Sequence, residues 1–316
     1  MSGDVRAPDG EVVILAGGTG GAKLARGMAD VLDVPERLAV IANTGDDIEI
    51  YGAHVSPDPD LVSFWLADEI DERGWGLRDD TFAVMDALRS LGVEVWFNLG
   101  DRDLAWCLER ARMTAGDGGE PLTPTGALAR LNEAIGVRAR VLPMSDDPVR
   151  TWVRGSAEWC SFQEFMIRLG ANPIVEGLEF RGAEQARPSE QALAAIEQAR
   201  AIVIGPSNPL ASIAPILAVP GIREALTAAP APVVAVSPIV GGAVLKGPTK
   251  AFMAFAALEC NADGIADFYG DLLDGIVADE NVARLPTLQI DTRMDDASSR
   301  ERVARQVLDF AEALAG

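Results

Sequence analysis

Four glycines and a lysine near the start of the chain stand between an apolar run and a helix-like stretch, where a phosphate-binding loop could form. They belong to the group Gly17, Gly18, Thr19, Gly20, Gly21 and Lys23. Glycines let backbone N–H groups approach a ligand closely, and the N-terminus of a following helix favours an anion. The spacing fits neither the dinucleotide pattern GxGxxG nor the Walker pattern. We predict a phosphate-binding loop, and the alternative is a glycine turn that binds nothing.

Carboxylates gather a short distance along the chain, where NTGDD contains Asp46 and Asp47 and SPDPD contains Asp58 and Asp60. Such side chains supply the hard oxygen ligands that Mg²⁺ takes together with phosphate oxygens. Turns rich in Asp, Gly and Pro are also common on protein surfaces, so either segment alone could be a plain loop. Their position just after a phosphate-binding loop predicts a magnesium site that would neutralise a diphosphate and polarise its phosphorus.

A third polar cluster, Asn98 to Asp103, combines two carboxylates with one guanidinium. Either Asp101 or Asp103 could bind a substrate hydroxyl or a metal-bound water, and Arg102 could hold phosphate through its planar fork. The alternative is an internal Arg–Asp pair that only shapes a turn. Upstream, Asp80 stands where a loop enters a helix, and we expect it near the cap of that helix.

Two further loops each follow an apolar run and offer hydrogen-bond donors to an anion. The first, GPSNP, contains Gly205, Ser207 and Asn208, and the helix after it adds free N–H groups. The second, SPIVGG, begins at Ser237, and Lys246 follows it either to meet phosphate or to be solvated. We predict that both loops belong to the phosphate and nucleotide site.

The elements that must position these groups are short apolar runs separated by helical stretches. The runs are Val12–Ala16, Leu38–Ala42, Val93–Phe97, Ala139–Leu142, Ala201–Ile204 and Val233–Val236. The expected helices are Ala22–Leu32, Ala192–Ala199, Pro215–Leu226 and Ser298–Ala315. Such runs are typical of parallel strands buried on both faces, and ligands lie beyond the C-terminal ends of these strands. The pattern predicts an α/β fold with a mostly parallel sheet flanked by helices.

One segment departs from this alternation. Residues 145–190 concentrate the aromatic residues Trp152, Trp159, Phe162, Phe165 and Phe180. They form either a subdomain or lid over the ligand crevice, or a part of the core. We place the core at residues 1–144 and 191–316, and the inserted subdomain at residues 145–190.

Composition excludes several classes of function. The 48 acidic and 27 basic residues give a net charge of −21, which repels nucleic acids and anionic membranes. His54 is the only histidine, so a histidine-based triad or metal site would have to rest on it alone. Three separated cysteines indicate neither disulfides nor zinc. The polar N-terminus and the lack of a long apolar segment predict a cytoplasmic protein.

Nine motifs, in this order, resemble those of the 2-phospho-L-lactate transferase family, which acts in biosynthesis of the deazaflavin coenzyme F420. They are GGTGGAKLARG, NTGDD, SPDPD, WGLRDDTF, LGDRD, LPMSDDP, FQEF, GPSNPLASI and VAVSPIVGG. The resemblance extends from about residue 12 to residue 280 and implies a Rossmann-like core with an additional, mainly helical subdomain. By analogy with the family, we also expect a homodimer.

The resemblance implies a transfer reaction with two small-molecule substrates. A guanylylated donor, lactyl-2-diphospho-5′-guanosine, gives its phospholactyl group to the terminal ribityl hydroxyl of 7,8-didemethyl-8-hydroxy-5-deazariboflavin, called Fo, and GMP leaves. The donor acid could instead be phosphoenolpyruvate or 3-phosphoglycerate. The reaction is phosphoryl transfer with magnesium, which agrees with the glycine loop and the carboxylates.

We assign individual roles within these motifs, and the Fo contacts of Asp60 and Asn98 come from matching the motifs of the family. Asp46, Asp47 and Asp58 would bind magnesium, and either Asp58 or Asp60 would accept the proton of the attacking hydroxyl. The Fo site comprises Asp60, Asn98, Asp101 and Arg102. The guanosine diphosphate site comprises Gly17, Gly18, Thr19, Gly20, Gly21, Lys23, Gly205, Ser207, Asn208 and Ser237.

Two other classes of protein share some of these features. A non-catalytic regulator that binds nucleotide sugars has a similar glycine loop, but we expect GPGSL where this chain has GPSNP. A dehydrogenase that uses NAD would need GxGxxG and an acidic residue at the end of the second strand. The motif set favours the transferase over both.

Overall fold

The computed structural model describes residues 10–156, 158–244 and 247–315, and these ranges contain fourteen strands and eleven α-helices. The strands are β1 Glu11–Ala16, β2 Leu38–Ala42, β3 Ile48–Ile50, β4 Ala53–Val55, β5 Arg140–Pro143, β6 Arg150–Gly155, β7 Glu158–Ser161, β8 Val175–Arg181, β9 Ala199–Ile204, β10 Val233–Val236, β11 Ile239–Val240, β12 Ala243–Val244, β13 Gly275–Ala278 and β14 Thr287–Gln289. The helices are α1 Gly18–Val31, α2 Pro57–Leu66, α3 Ala83–Ser90, α4 Asp101–Ala115, α5 Pro124–Ala134, α6 Glu190–Glu197, α7 Ala214–Leu217, α8 Ile222–Ala228, α9 Thr249–Phe255, α10 Ala262–Tyr269 and α11 Ala297–Leu314.

A seven-stranded parallel sheet organises the fold, with the strands in the order β14, β13, β10, β9, β1, β2 and β5. Val13 and Leu15 of the central strand β1 pack into one apolar cluster, and Val12 and Ile14 pack into a second cluster on the opposite face. Helices such as α1 and α11 cover one face, and helices such as α6 and α10 cover the other. Burial on both faces explains why the strands are continuously apolar.

Most of the predicted elements are confirmed. Five predicted strands correspond to β1, β2, β5, β9 and β10, and the predicted helices correspond to α1, α6, α7 with α8, and α11. The sixth predicted strand, Val93–Phe97, is wrong, because this run lies in irregular chain between α3 and α4. Val93 is exposed, and Trp96 and Phe97 line a cavity instead of the sheet interior. Strands β13 and β14, with four and three residues, were not predicted.

The additional helical part of the fold is confirmed, but it lies at residues 57–134, where α2 to α5 are inserted between β4 and β5. Residues 145–190 instead carry a three-stranded antiparallel sheet in the order β7, β6, β8, followed along the chain by other short elements. Burial alternates along β6, as expected of such a sheet with one solvated face. That this segment acts as a lid stays a prediction.

Within the described ranges, no single helix is long and apolar enough to cross a membrane. One bent pair, Pro209–Leu217 with Ile222–Ala228, meets the length and composition requirements when both parts are taken together. Its apolar side chains, including Ile213 and Ile216, belong to the core of the fold.

The crevice of the sheet lies where the chain changes direction across it. After β1 the chain continues to β2 on one side, whereas β9 pairs with β1 on the other side. Ligands of open parallel sheets bind at such a switch point, beyond the C-terminal ends of the strands. The glycine loop follows β1 and the GPSNP loop follows β9, so both predicted binding loops meet there.

Candidate functional site

The glycine segment forms the first turn of α1, with Gly17 as the residue before the helix. The Gly17 N–H donates to Ser207 Oγ at 3.2 Å, and the Gly18 N–H donates to Asp58 Oδ1 at 2.7 Å. The first four N–H groups of a helix have no partner inside it. The Asp58 carboxylate therefore already lies at the helix N-terminus where we predicted an anionic ligand.

Close packing is a second reason for the glycines. A Cβ atom at Gly20 would collide with the carbonyl oxygen of Pro206, and one at Gly21 would lie 2.9 Å from Ser207 Oγ. A Cβ atom at Gly205 would lie 3.1 Å from the Cα of Gly21. Helix α1 can approach the GPSNP loop this closely only because these side chains are missing.

An open cavity of about 690 Å³ lies beyond the ends of β1, β9 and β10, and we call it the glycine-loop cavity. Its lining includes most of the predicted nucleotide site, namely Gly17, Gly18, Thr19, Gly20, Lys23, Ser207, Asn208 and Ser237. Gly21 and Gly205 pack behind this lining. Phe162 and Met166, from the segment 145–190, form part of one wall. Lys246 lies outside the described residues.

The polar loops of this cavity are held by their own hydrogen bonds. Asn208 Oδ1 accepts from the N–H groups of Leu210 and Ala211, both at 3.0 Å, and thereby caps the short π-helix that follows. The Asn208 Nδ2 donor is buried and has no partner among the described residues. Ser237 Oγ accepts from the Ile239 N–H at 3.2 Å. One face of each loop is thus structural, and the Asn208 amide remains as a donor for a ligand.

Asp46 and Asp58 form a buried carboxylate pair on the inner wall of this cavity. The Asn43 side-chain amide donates to both, at 3.1 Å to Asp46 and 2.9 Å to Asp58. Burial raises the pKa of Asp46, and the charge of Asp58 raises it further. Burial also raises the pKa of Asp58 to about 6, although the Asn43 amide and the Gly18 N–H oppose the rise. Two buried carboxylates that repel each other fit a divalent cation.

Asp47 does not join this pair. Its Oδ1 accepts from Ser56 Oγ at 2.7 Å, and its Oδ2 lies 3.0 Å from His54 Nε2. Asp47 and Arg150 line two small neighbouring cavities, each of about 160 Å³. Of the three predicted magnesium ligands, Asp46 and Asp58 share the Asn43 amide, whereas Asp47 is engaged by Ser56 and His54. The charge of Asp47 still raises the pKa of Asp46 and of Asp58.

A second cavity, of about 430 Å³, lies against α2 and the start of α4, and we call it the aromatic cavity. Its aromatic lining consists of Phe64, Trp75, Phe82, Trp96 and Phe97. Its polar lining includes Asp58, Asp60, Asp80, Asn98 and Asp103. Asp58 also lines the glycine-loop cavity, so the two cavities meet at this carboxylate.

Asp60 enters the aromatic cavity from the first turn of α2, two residues after Asp58. Its Oδ1 accepts from Trp106 Nε1 at 2.8 Å and forms a buried ion pair with Arg110. Arg110 also donates to the carbonyl oxygen of His54 at 2.9 Å. Burial raises the pKa of Asp60, and the Arg110 guanidinium opposes this rise. A buried arginine and a tryptophan thus fix one carboxylate oxygen.

Asp101 and Asp80 cap helices reciprocally. Asp101 accepts from the N–H groups of Ala83 and Val84, both at 3.0 Å, at the start of α3. Asp80 accepts from the N–H groups of Arg102 and Asp103, at 2.8 and 3.1 Å, at the start of α4. The expected capping role of Asp80 is thus found on α4. The structure uses the Asp101 carboxylate for α3 and does not turn it into the aromatic cavity.

The remaining residues predicted for Fo are also engaged with protein groups. Arg102 donates to the Arg78 carbonyl oxygen at 2.7 Å and to Glu69 Oε2 at 2.9 Å. Asn98 lines the aromatic cavity, where its Oδ1 accepts from Arg89 at 2.6 Å. Of the predicted set, Asp60 and Asn98 reach the cavity, whereas Asp101 and Arg102 stabilise its frame.

Sequence reasoning missed three residues that shape the site, namely Asn43, Trp106 and Arg110. Asn43 begins the NTGDD motif, so an amide directly before two carboxylates was an available signal. Trp106 and Arg110 are spaced four residues apart on α4 and share one helix face. Nothing in the local sequence indicates that this face meets Asp60, which is far away along the chain.

These features define an α/β protein with two small-molecule cavities that share one buried carboxylate. The profile of the family described as "2-phospho-L-lactate transferase CofD" matches residues 12–309, and the chain belongs to this family of phosphotransferases of coenzyme F420 biosynthesis. The family match supports the transferase interpretation over the nucleotide-sugar regulator.

Relatives match most of the chain. This chain is 42% identical over 321 residues to a "Phosphoenolpyruvate transferase" of Kitasatospora aureofaciens, and the match covers 95% of this chain and 98% of the relative. It is 40% identical over 270 residues to a "2-phospho-L-lactate transferase" of Methanosarcina mazei, covering 85% and 87%. The crystal structure of protein BH3568 from Bacillus halodurans superposes with a TM-score of 0.61 at 19% identity, covering 95% of this chain and 100% of that one. This last similarity concerns the fold.

Proposed function

We propose that this chain transfers a phospho-acid group from a guanylylated donor to the terminal ribityl hydroxyl of Fo and releases GMP. Membership in the family supports transferase chemistry, and the two adjoining cavities support two substrates. The glycine-loop cavity has the helix N-terminus and the polar loops that suit a nucleotide diphosphate. The aromatic cavity suits the flat ring system of a deazaflavin.

The observation that carries this proposal is the position of Asp58 between the two cavities. A donor phosphorus at one side and an acceptor hydroxyl at the other would meet beside this carboxylate. Holding two reactants in contact removes much of the entropic barrier to their reaction. We therefore assign the reaction centre to the junction of the cavities.

The proposed step exchanges one phosphorus–oxygen bond for another. The terminal hydroxyl oxygen of Fo forms a bond to the phosphorus that carries the acid. The bond from this phosphorus to the oxygen of GMP breaks, and its electron pair leaves with GMP. Asp60 takes the hydroxyl proton, because its Oδ1 is held by Trp106 and Arg110 while Oδ2 has no partner among the described residues.

We propose that Asp46 and Asp58 hold Mg²⁺, which fits their burial, their mutual repulsion and their oxygen chemistry. The bound ion would neutralise diphosphate charge and polarise phosphorus. Asn43 would keep both carboxylates oriented through its shared amide. Asp47, turned towards Ser56 and His54, stays outside this pair.

For the donor acid we propose phosphoenolpyruvate rather than 2-phospholactate. The relative named for phosphoenolpyruvate matches 95% of this chain, and the relative named for 2-phospholactate matches 85%. This support comes from the relatives alone, because none of the lining residues described above distinguishes the two acids.

The test is detection of product by mass spectrometry. The purified protein is incubated with Fo, Mg²⁺ and each guanylylated donor in turn, carrying phosphoenolpyruvate, 2-phospholactate or 3-phosphoglycerate. We expect the phosphoenolpyruvyl product and GMP, and we expect both to disappear with EDTA. The Asp60→Asn variant should lose turnover, and circular dichroism checks that it still folds without the charge that pairs with Arg110. Absence of product with all three donors would contradict the proposed transfer, and product with another donor would correct the acid.

A further inference from the structure

Asp103 is a carboxylate of the aromatic cavity to which the transfer step assigns no role. It lies in the first turn of α4, where Asp80 Oδ2 accepts from its backbone N–H at 3.1 Å. One helical turn later, the Cys107 thiol lies 3.8 Å from Asp103 Oδ1 as a hydrogen-bond donor. Asp103 is partly buried and lines the cavity. Backbone and side chain are thus both positioned.

Asp60 lies close to Asp103, and one of its carboxylate oxygens has no hydrogen-bond partner among the described residues. Its side chain is only 5% exposed, and the oxygen without a partner is the buried Oδ2. One ligand atom from each of Asp60, Asp103 and Cys107 lies within 4.8 Å of the other two. Hydrogen bonds between oxygens span about 2.7 Å. Adjacent hydroxyls of a bound polyol can therefore reach both carboxyl groups.

The charges around this pair favour one ionised and one neutral carboxyl group. Arg110 provides one cation and pairs with Asp60. Burial raises the pKa of Asp103 to about 7, the charges of Asp60 and Asp80 raise it, and Arg110 opposes the rise. Burial also raises the pKa of the Cys107 thiol, so this neighbour adds no charge at neutral pH. A neutral carboxylic acid can donate a hydrogen bond, and a carboxylate can only accept.

We propose that Asp103 is a second polar contact for the acceptor, and that its carboxylic acid donates a hydrogen bond to a polyol hydroxyl next to the one that reacts. Asp60 meanwhile accepts from the reacting hydroxyl. This inference rests on the proposed function, because it takes the polyol to be the ribityl chain of Fo. The two carboxyl groups would orient the chain by offering one donor and one acceptor.

The test compares Fo binding to the wild type, Asp103→Asn and Asp103→Ala at pH 6 and pH 8.5, followed by deazaflavin absorbance. The asparagine amide keeps a donor at every pH, and alanine removes it. Asp117→Asn, exposed beyond the end of α4, is the matched control. The proteins are compared with one another at the same pH, so any effect of the ionisation of Fo itself on the dissociation constants cancels in their ratio.

At pH 6 we expect Asp103→Asn to bind Fo like the wild type and Asp103→Ala to bind about tenfold more weakly. At pH 8.5 the wild type should bind about fivefold more weakly than Asp103→Asn, because Asp103 has lost its proton. The inference would be overturned if Asp103→Ala bound Fo as tightly as the wild type at pH 6. It would also be overturned if the ratio of the Fo dissociation constants of the wild type and Asp103→Asn did not change with pH.

This design separates the inference from the transfer reaction. Fo binding with the expected ratios, but no product with any donor, would reject the transfer and keep Asp103 as an acceptor contact. Product formation with equal Fo affinities in all three proteins would reject the role of Asp103 and keep the transfer. No Fo binding by the wild type at either pH would reject both.

Discussion

The glycine-loop cavity is enclosed mostly by loops that directly follow strands, whereas the inserted helices and the loops between them enclose much of the aromatic cavity. In the first, α1 and the GPSNP loop touch through backbone atoms at Gly20 and Pro206. In the second, Asp60 is held by Trp106 and Arg110 from a different helix. The two cavities should therefore lose ligand affinity for different reasons. The glycine-loop cavity should be sensitive to volume added at the backbone contact, and the aromatic cavity should be sensitive to the loss of side-chain partners.

The largest effect is expected at Asp58, a buried carboxylate that lines both cavities. In the wild type, Asp58 Oδ1 accepts from the Gly18 N–H and Oδ2 accepts from Asn43 Nδ2. Asp58→Asn removes a charge and places an amide NH₂ group beside one of these two donors. We expect kcat to fall about 10²- to 10³-fold, as for loss of a group that stabilises a transition state. The measurement is the steady-state rate, with circular dichroism to confirm the fold.

Asp68→Asn is the matched control for this substitution. Asp68 is exposed and has a φ of +58°, a conformation that asparagine tolerates well. Its rate should equal that of the wild type. A wild-type rate in Asp58→Asn itself would remove this residue from the reaction centre.

An intermediate effect is expected from Gly20→Ala, which adds volume only to the backbone contact. The new Cβ atom would collide with the carbonyl oxygen of Pro206, so α1 and the GPSNP loop must separate. We expect GDP affinity to fall about tenfold or more, and Fo affinity to change little. Isothermal titration of each ligand measures both.

Gly119→Ala controls for the added methyl group, because a Cβ atom there meets no atom within 4 Å. It should leave both affinities unchanged. Equal losses of GDP and Fo affinity in Gly20→Ala would show that the cavities do not respond separately, contrary to the comparison above.

The smallest effect is expected at Asp101, whose carboxylate caps α3. Hydrogen bonds from Thr81, Val84 and Ala83 lower the pKa of Asp101, so its charged form stabilises the fold. Asp101→Ala should lower the free energy of unfolding, because the cap of α3 is lost, and change the KM for Fo less than about threefold. Urea denaturation and steady-state kinetics measure the two quantities. A large rise in KM with unchanged stability would return Asp101 to the Fo site.

The sequence could predict the parts that are local. Each buried strand is a continuous apolar run, and the loops after β1, β9 and β10 follow such runs directly, so both the sheet and the glycine-loop cavity could be located. The pairing of Asp46 with Asp58 could also be anticipated, because the two motifs flank one short hairpin of β3 and β4.

The aromatic cavity was harder to predict, because its contacts join residues that are far apart along the chain. The apolar run 93–97 has the composition of a strand, but its aromatic side chains line a cavity outside the sheet. Asp101 and Arg102 have the residue types of a binding site, and only the position of α3 and of Glu69 shows that they bind protein groups. Residue type and spacing cannot distinguish a cap from a ligand contact when the partner is a distant helix.

Titration of Fo into protein saturated with GDP shows whether two separate cavities meet at Asp58. We expect a ternary complex with one equivalent of Fo per chain, and an affinity for Fo that is at least as high as without GDP. Competitive displacement, in which the apparent dissociation constant of Fo rises in proportion to GDP concentration, would contradict it.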